Sequence, residues 1–328
     1  MTNNKKTLLI TGSTGFIGSH LVKKLVDKYQ VIALVSPSDI GIRPLPENAS
    51  IEYADLGDFD LVREILSKNK PQIILHLAAL SPVRYSFGNP FIYQKVNYLA
   101  TINLVESAMK IENFEKFVYA STMETYGWQP VKKLFTENLS LHPDSPYAVS
   151  KVAAEKYIQM VTRAFNFPAV VLKACNTFGR KNERGYIVEY IITEMLKRRS
   201  PQLGTPEAIR DLMYVDDHVN GYLKAIEFKM PEIKEMKNIL EKDPIAFTFN
   251  IGNGLEIDMK EVAEKISKII GFKGEIETGF PKDYPWRPSV APYLSLNASK
   301  ADKLLGWKPE VSLEEGLQKT IEFWKKNL

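Results

Sequence analysis

The sequence predicts an α/β chain: a Rossmann-type doubly wound parallel sheet followed by a smaller α+β region, on three observations. Short apolar runs such as Thr7–Thr11 and Ala169–Ala174 have the length and content of strands buried on both faces. Between such runs lie stretches with apolar residues at helical spacing, as at Ile17, Leu21, Val22, Leu25 and Val26. The third observation is the segment Gly12-Ser13-Thr14-Gly15-Phe16-Ile17-Gly18, set between the first strand and the first helix.

Taken in order, residues 7–11 read as a strand and 16–28 as a helix, followed by a strand at 31–35 and a short strand before Ala54-Asp55-Leu56. Residues 59–68 form a helix, 72–77 a strand, 91–110 a long amphipathic helix, 116–121 a strand, 147–164 a helix and 169–174 a strand. Beyond residue 175 the rhythm loosens. A polar loop is expected over 176–184, a helix over 186–198, a turn and strand within 203–215, and a helix over 217–228. The charged segment 230–244 reads as a surface insertion, 247–251 as a strand returning to the sheet or its neighbour, and 260–270 and 312–325 as helices. The expected division is a dinucleotide-binding domain over 1–175, joined by a later segment near 212–251, and a discontinuous substrate region within 176–328.

The bulk properties exclude several classes. A net charge of +4 comes from 43 basic and 39 acidic residues that are scattered, so no block reads as a nucleic-acid or membrane patch. The mild excess leaves room for an anionic substrate. A single cysteine, Cys175, follows an apolar run and reads as a buried thiol, which excludes a disulfide framework within the chain. With no signal-like h-region and no apolar run of about 18 residues, a cytoplasmic location is expected.

The chemistry is read from spacing. Glycines at 12, 15 and 18, on a strand-to-helix turn, let backbone approach a pyrophosphate whose charge meets free N–H groups and the helix dipole. The end of the second strand chooses between NAD and NADP, because an acid there binds the ribose 2′-hydroxyl. Here Val35 is followed by Ser36-Pro37-Ser38, with Asp39 only later, and Arg43 is near, which tilts the reading towards NADP. Small residues in Leu77-Ala78-Ala79 would let a cofactor pack closely. His76 reads as a neutral strand-end residue, since no partner is spaced near it as a metal site needs, and no metal is expected. Tyr147 and Lys151 stand four apart after Pro146, on one helical face, where an ammonium beside a phenol favours the phenolate and hence a general base.

Together these glycines, Asp55, His76-Leu77-Ala78-Ala79, Ser121-Thr122, Tyr126-Gly127 and Tyr147-Ala148-Val149-Ser150-Lys151 resemble the extended short-chain dehydrogenase/reductase family that acts on nucleotide sugars. The resemblance runs through Asn176-Thr177-Phe178-Gly179, the stretch from Arg210 to Asp217, Asn250-Ile251-Gly252 and Leu305-Gly306-Trp307-Lys308-Pro309. It implies that Tyr147 is the base, that Lys151 holds the nicotinamide ribose and tunes Tyr147, and that Thr122 bonds the reacting hydroxyl. It places the cofactor along Gly12, Gly15, Phe16, Ile17, Gly18, Ser36, Asp55, Leu56, Leu77, Ala78 and Ala79, with Asp55 at the adenine. Ser81, Asn176, Arg210 and Arg287 fall to the nucleoside-diphosphate sugar, the arginines forking onto phosphate oxygens. A homodimer through helices 91–110 and 147–164 is implied as well.

Within the family the reactions part after oxidation at sugar C4. Thr122-Met123-Glu124 resembles the Thr-x-Glu run of 4,6-dehydratases and UDP-glucuronate decarboxylases, so Glu124 joins Thr122, Tyr147 and Lys151 as a catalytic residue. Met123 departs from the Asp or Ser of the dehydratases and can be neither acid nor donor, so either Glu124 serves both proton transfers or the enzyme does not dehydrate. Ser81-Pro82-Val83-Arg84-Tyr85-Ser86-Phe87 and Arg287-Pro288-Ser289 resemble the GDP-mannose branch. The expected enzyme is a 4,6-dehydratase; a 4-epimerase, a 4-keto sugar reductase and a silent cofactor-binding relative are the alternatives.

Overall fold

A computed structural model describes residues 5–39, 43–181, 186–280 and 287–328. The polar start up to Asn4 and Arg184, the far end of the expected 176–184 loop, lie outside the described residues. The first half alternates strand and helix: β1 (Thr7–Thr11), α1 (Phe16–Leu25), β2 (Gln30–Val35), β3 (Ser50–Tyr53), α2 (Phe59–Asn69) and β4 (Ile73–His76). Helices α3 (Val83–Gly88), α4 (Pro90–Gln94) and α5 (Ala100–Ala108) precede β5 (Lys116–Thr122), α6 (Pro146–Phe165) and β6 (Ala169–Ala174). Seven parallel strands order as β11-β6-β5-β4-β1-β2-β3, where β11 is Thr248–Ile251. Connections leave β1 towards β2 and β4 towards β5, so the crevice at the carboxyl ends of β1 and β4 is the switch point where such sheets bind ligands.

Alternation along the strands builds the layers. Leu8 and Ile10 of β1, Val118 of β5 and Val170 and Leu172 of β6 pack on the face covered by α1 and α8 (Val215–Glu227). Leu9, Phe117, Tyr119 and Val171 point the other way, onto Val62 and Ile65 of α2, Leu104 and Val105 of α5, and Ala154 and Ile158 of α6. At about 1.5–3 kcal/mol for each such side chain taken out of water, the two faces carry most of the hydrophobic stabilisation of the sheet.

The later residues make smaller elements: β7 (Asn176–Phe178), α7 (Ile187–Leu196), β8 (Gln202–Leu203), β9 (Ile209–Arg210), β10 (Leu212–Tyr214) and α9 (Ile233–Lys242). After β11 follow β12 (Ile257–Asp258), α10 (Met259–Ile270), β13 (Glu277–Thr278), β14 (Tyr293–Leu294), α11 (Ser299–Leu305) and α12 (Leu313–Asn327). Val188, Ile191 and Ile192 of α7, Val262 and Ile266 of α10 and Leu317 and Trp324 of α12 share a separate core.

Three local readings change. Asn176–Phe178 is no loop: it pairs in parallel with β10, a strand too short for its polar sequence to announce. Segment 230–244 is no mere surface insertion, because α9 buries Met236 and Leu240 against Ala246 and Phe247. Its abundant lysines and glutamates are the solvated face of an amphipathic helix. The expected helix 91–110 contains a π turn at Lys95–Leu99 between α4 and α5. That turn holds buried Asn97, whose amide bonds both ways with the Leu80 backbone, at 2.8 and 3.1 Å, and reaches Ser150 Oγ of α6 at 3.1 Å.

Candidate active site

The glycine segment forms a cradle that side chains would fill. Gly12 has φ +67°, and a Cβ there would lie 2.8 Å from the Ala78 nitrogen, while one on Gly18 would lie 2.1 Å from the Gly12 carbonyl oxygen. Helix α1 begins after Gly15 with no side-chain cap and no acid in its first turn, so its N–H groups face the crevice end with their positive partial charge uncompensated. The donor set fits a dinucleotide pyrophosphate. Thr11 Oγ1 accepts the Ala78 N–H at 3.1 Å and lies 2.7 Å from His76 Nδ1, tying β1 to the residues after β4. His76 Nε2 reaches Thr101 Oγ1 at 2.9 Å. Burial, with Lys151 nearby, pushes the imidazole down to about 3, so it stays neutral near pH 7.

Other expected cofactor residues gather at this edge. Phe16 has the Arg180 guanidinium 4.4 Å above its ring. Ser36 Oγ lies 2.8 Å from Ser38 Oγ just after β2. Arg43 donates to the Thr14 carbonyl at 2.8 Å, which draws it to the glycine segment. After β3, Asp55 Oδ1 accepts the Gly57 N–H at 2.7 Å, and neighbouring Leu56 is buried in the sheet's core.

The reacting groups assemble where β5 meets α6. Thr122 ends β5 and caps the 3₁₀ turn Met123–Thr125, its Oγ1 accepting the Glu124 N–H at 3.2 Å. Helix α6 opens on Ser145, whose Oγ accepts the Ala148 N–H at 3.1 Å, with Pro146 in the first turn, where its missing N–H costs nothing. That start buries Tyr147 and sets it edge-on to the Tyr93 ring at 6.3 Å. The phenol is pushed up by burial first and then by the charge of Glu124, against the Thr122 bond.

Lys151 is held by the backbone of the neighbouring strand. Its Nζ donates to the Ala120 carbonyl at 2.7 Å and stands 4.6 Å over the Tyr119 ring; burial lowers it to about 7, partly offset by Glu155. Spacing put the two side chains on one face, but the carbonyl at the end of β5 claims the ammonium. In this arrangement the groups acting on Tyr147 are Glu124, Thr122, Tyr186 and Tyr93.

Behind these groups lies a buried ion pair. Lys173 of β6 meets Glu155 of α6 at 2.9 Å, with side chains 2 % and 0 % exposed. Glu155 also accepts the Ser121 hydroxyl, and Lys173 donates to Thr125 Oγ1 at 3.0 Å and lies 4.4 Å from the Tyr126 ring centroid. The pair therefore grips β5 on either side of Thr122 and Glu124.

On the outer side stands a charged cluster. Arg287 donates to Glu124 Oε2 at 3.2 Å and to the Ser289 carbonyl at 2.6 Å, and lies 3.9 Å from Asp144 Oδ1. Arg210, buried, donates to the Ile209 carbonyl at 2.7 Å and feels all three. Sequence reasoning missed Asp144; its only signal was a carboxylate three residues before Tyr147. Ser81 Oγ stands 3.2 Å from the Tyr186 hydroxyl, while Asn176 sits at the start of β7. Among the described residues no cluster of His, Cys, Asp and Glu could hold a metal ion, and no helix is long and apolar enough to cross a membrane. Cys175 is buried.

Residues 9–320 match the family model for GDP-mannose 4,6 dehydratase. A mouse dTDP-D-glucose 4,6-dehydratase is 29% identical over 336 residues, covering 98% of this chain and 89% of that one. The structure of a UDP-glucose 4-epimerase from Thermotoga maritima with UDP-glucose superposes with a TM-score of 0.85 at 30% identity, covering 98% and 99% of the two chains. A Thermus thermophilus UDP-glucose 4-epimerase in complex with NAD gives 0.82 at 26% identity, covering 98% and 100%. With the glycine cradle, the Tyr-Lys helix and the Thr-x-Glu turn in place, the chain belongs to the extended short-chain dehydrogenase/reductase family of nucleotide-sugar 4,6-dehydratases and 4-epimerases.

Proposed function

We propose that the chain is a nucleoside-diphosphate-hexose 4,6-dehydratase of the GDP-mannose type. The observation that carries this reading is Glu124: a buried carboxylate, on the turn that begins at Thr122, whose charge acts on Tyr147. A bound NAD(P) supplies the acceptor and later the donor of the hydride. Tyr147 takes the C4 hydroxyl proton through a bond shared with Thr122, and Lys151, released from Ala120, holds the cofactor ribose. Glu124 then removes the C5 proton, which the C4 carbonyl has made acidic. Asn176, Arg210 and Arg287 serve the diphosphate, with Ser81 lining the substrate side, all from or beside the 176–328 region. Ser36, Ser38 and Arg43 support NADP, and the relative named with NAD supports NAD. The epimerase reading is favoured by one observation: Met123 is fully buried in apolar core and offers no proton.

The test supplies NAD and NADP separately with GDP-mannose, CDP-glucose, dTDP-glucose and UDP-glucose, and weighs the product. Loss of one water is expected from one of the four; isomers of unchanged mass, with no lighter product, defeat the reading. Glu124→Gln is expected to keep C4 oxidation, seen as reduced nicotinamide absorbance, while water loss falls by about 10²–10⁴. Full turnover of that variant would reduce Glu124 to a structural role.

We further propose a homodimer through α4, α5 and α6. Phe91 of α4 is 88% exposed, and Ile92 of α4, Leu99 of the π turn before α5, and Val149 and Met160 of α6 also stand in solvent. Phe91→Asp with Leu99→Arg is expected to halve the mass in analytical ultracentrifugation; a wild type already monomeric at micromolar concentration would end the proposal.

A further inference from the structure

Resting on the dehydratase reading, we infer that Asp144 is the acid that protonates the departing C6 hydroxyl, the role Met123 leaves unfilled. Elimination of water across C5 and C6 needs a base for the C5 proton and an acid for the C6 oxygen, because hydroxide is a poor leaving group. Met123 cannot be that acid: its thioether has no proton to give, and its side chain is packed among Tyr126, Phe135 and other core residues, with none of it exposed.

Asp144 meets the structural needs of such a group. It stands just before the cap of α6, three residues ahead of Tyr147. Arg287 lies against both Glu124 and Asp144, so the two carboxyl groups flank one guanidinium head at 3.2 and 3.9 Å. Only 9% of the Asp144 side chain is exposed. Oδ2 accepts the Ser289 hydroxyl at 3.2 Å, while Oδ1 is buried with no hydrogen-bond partner among the described residues. Apart from the Arg287 charge 3.9 Å away, that buried oxygen has no donor of its own, which suits it to meet a ligand. Burial and the neighbouring charge of Glu124 hold the acid above the usual carboxylate range, against Arg287 and Ser289. Two carboxyl groups set against one guanidinium head, one for each proton transfer, are an arrangement that acid and base work can use.

The step balances without a redox partner. Glu124 takes the C5 proton, and the electrons of that C–H bond become the C5–C6 double bond. As the C6–O bond breaks, its electrons leave with oxygen, Asp144 gives its proton, and water departs. Asp144 is left as a carboxylate beside Arg287, and Glu124 holds a proton that it can return to C5. The proton that Tyr147 gained from the C4 hydroxyl restores Asp144 by way of solvent.

The experiment compares wild type, Asp144→Asn and Asp144→Glu on whichever of the four sugar nucleotides loses water, and on its 6-deoxy-6-fluoro analogue. Fluoride leaves without an acid. For Asp144→Asn, loss of water is expected to fall at least about 10²-fold with reduced nicotinamide still forming, while fluoride release from the analogue stays near the wild-type rate. Asp144→Glu, which keeps an acid, is expected to recover part of the water loss. Wild-type water loss by Asp144→Asn, or an equal fall in fluoride release and water loss, overturns the inference and leaves the dehydratase reading standing. If wild type yields only isomers of unchanged mass, the reading itself fails and the inference with it. Misfolding of Asp144→Asn, seen by circular dichroism, transfers the decision to Asp144→Glu, for which full loss of both reactions counts against the proposal.

Discussion

Tyr147→Phe is expected to lower turnover by about 10²–10⁴-fold while leaving cofactor affinity within a few-fold of wild type. The environment of the hydroxyl is set by burial and by Glu124, with Thr122 acting against them. Removing it deletes the proton acceptor without removing the ring that packs against Tyr93. The glycine cradle and the Lys151 ammonium are untouched, so binding has no reason to follow activity. Pre-steady-state absorbance of reduced nicotinamide separates the two: the variant should show the dinucleotide bound and hydride transfer slowed. A variant that forms reduced cofactor at the wild-type rate would remove Tyr147 from the base role and shift attention to Glu124, the nearest alternative acceptor.

Lys173→Met is expected to destabilise the fold by about 3–5 kcal/mol, because it leaves the Glu155 carboxylate in the interior without its cation. Glu155 would keep the Ser121 hydroxyl, which cannot balance a full charge, and Thr125 Oγ1 would lose its donor. Replacing both partners, Glu155→Leu with Lys173→Met, should recover most of that loss, since two apolar groups demand no compensation. Urea denaturation of the two variants and wild type measures both effects. Activity offers a second reading: the doubly substituted protein should fold yet turn over poorly, because the pair holds β5 beside Thr122 and supports charge on Lys151. A doubly substituted protein of wild-type activity would show that the pair serves stability alone.

The parts of the fold that could be read in the sequence are those whose signal is local. Gly12, Gly15 and Gly18 announce a turn because only glycine tolerates the approach of Ala78 and of the Gly12 carbonyl. Strands β1, β2, β4, β5 and β6 announce themselves because they are buried on both faces. Helix α9 hid behind its charged face, and β7 behind its brevity. The site divides the same way. Thr122, Glu124, Tyr147 and Lys151 lie within thirty residues of one another, and motif spacing finds them. What spacing cannot give is where an ammonium settles: Lys151 belongs to Ala120 as a matter of tertiary geometry. The cluster of Arg287 with Glu124 and Asp144 joins residues more than 140 apart in sequence, and nothing in either segment names the other.

Strand β11 has a consequence for how the chain is made. Residues up to Ala174 contain six strands of the sheet in full, with β6 outermost. Until Thr248–Ile251 leaves the ribosome, β6 has an open row of N–H and C=O groups on a strand buried throughout in the finished protein. At roughly 5–20 residues per second, the intervening stretch takes on the order of 4–15 s to appear. For that interval the nascent protein carries a sticky seam suited to pairing with another copy, and slower passage from β6 to β11 lengthens the time it stands open.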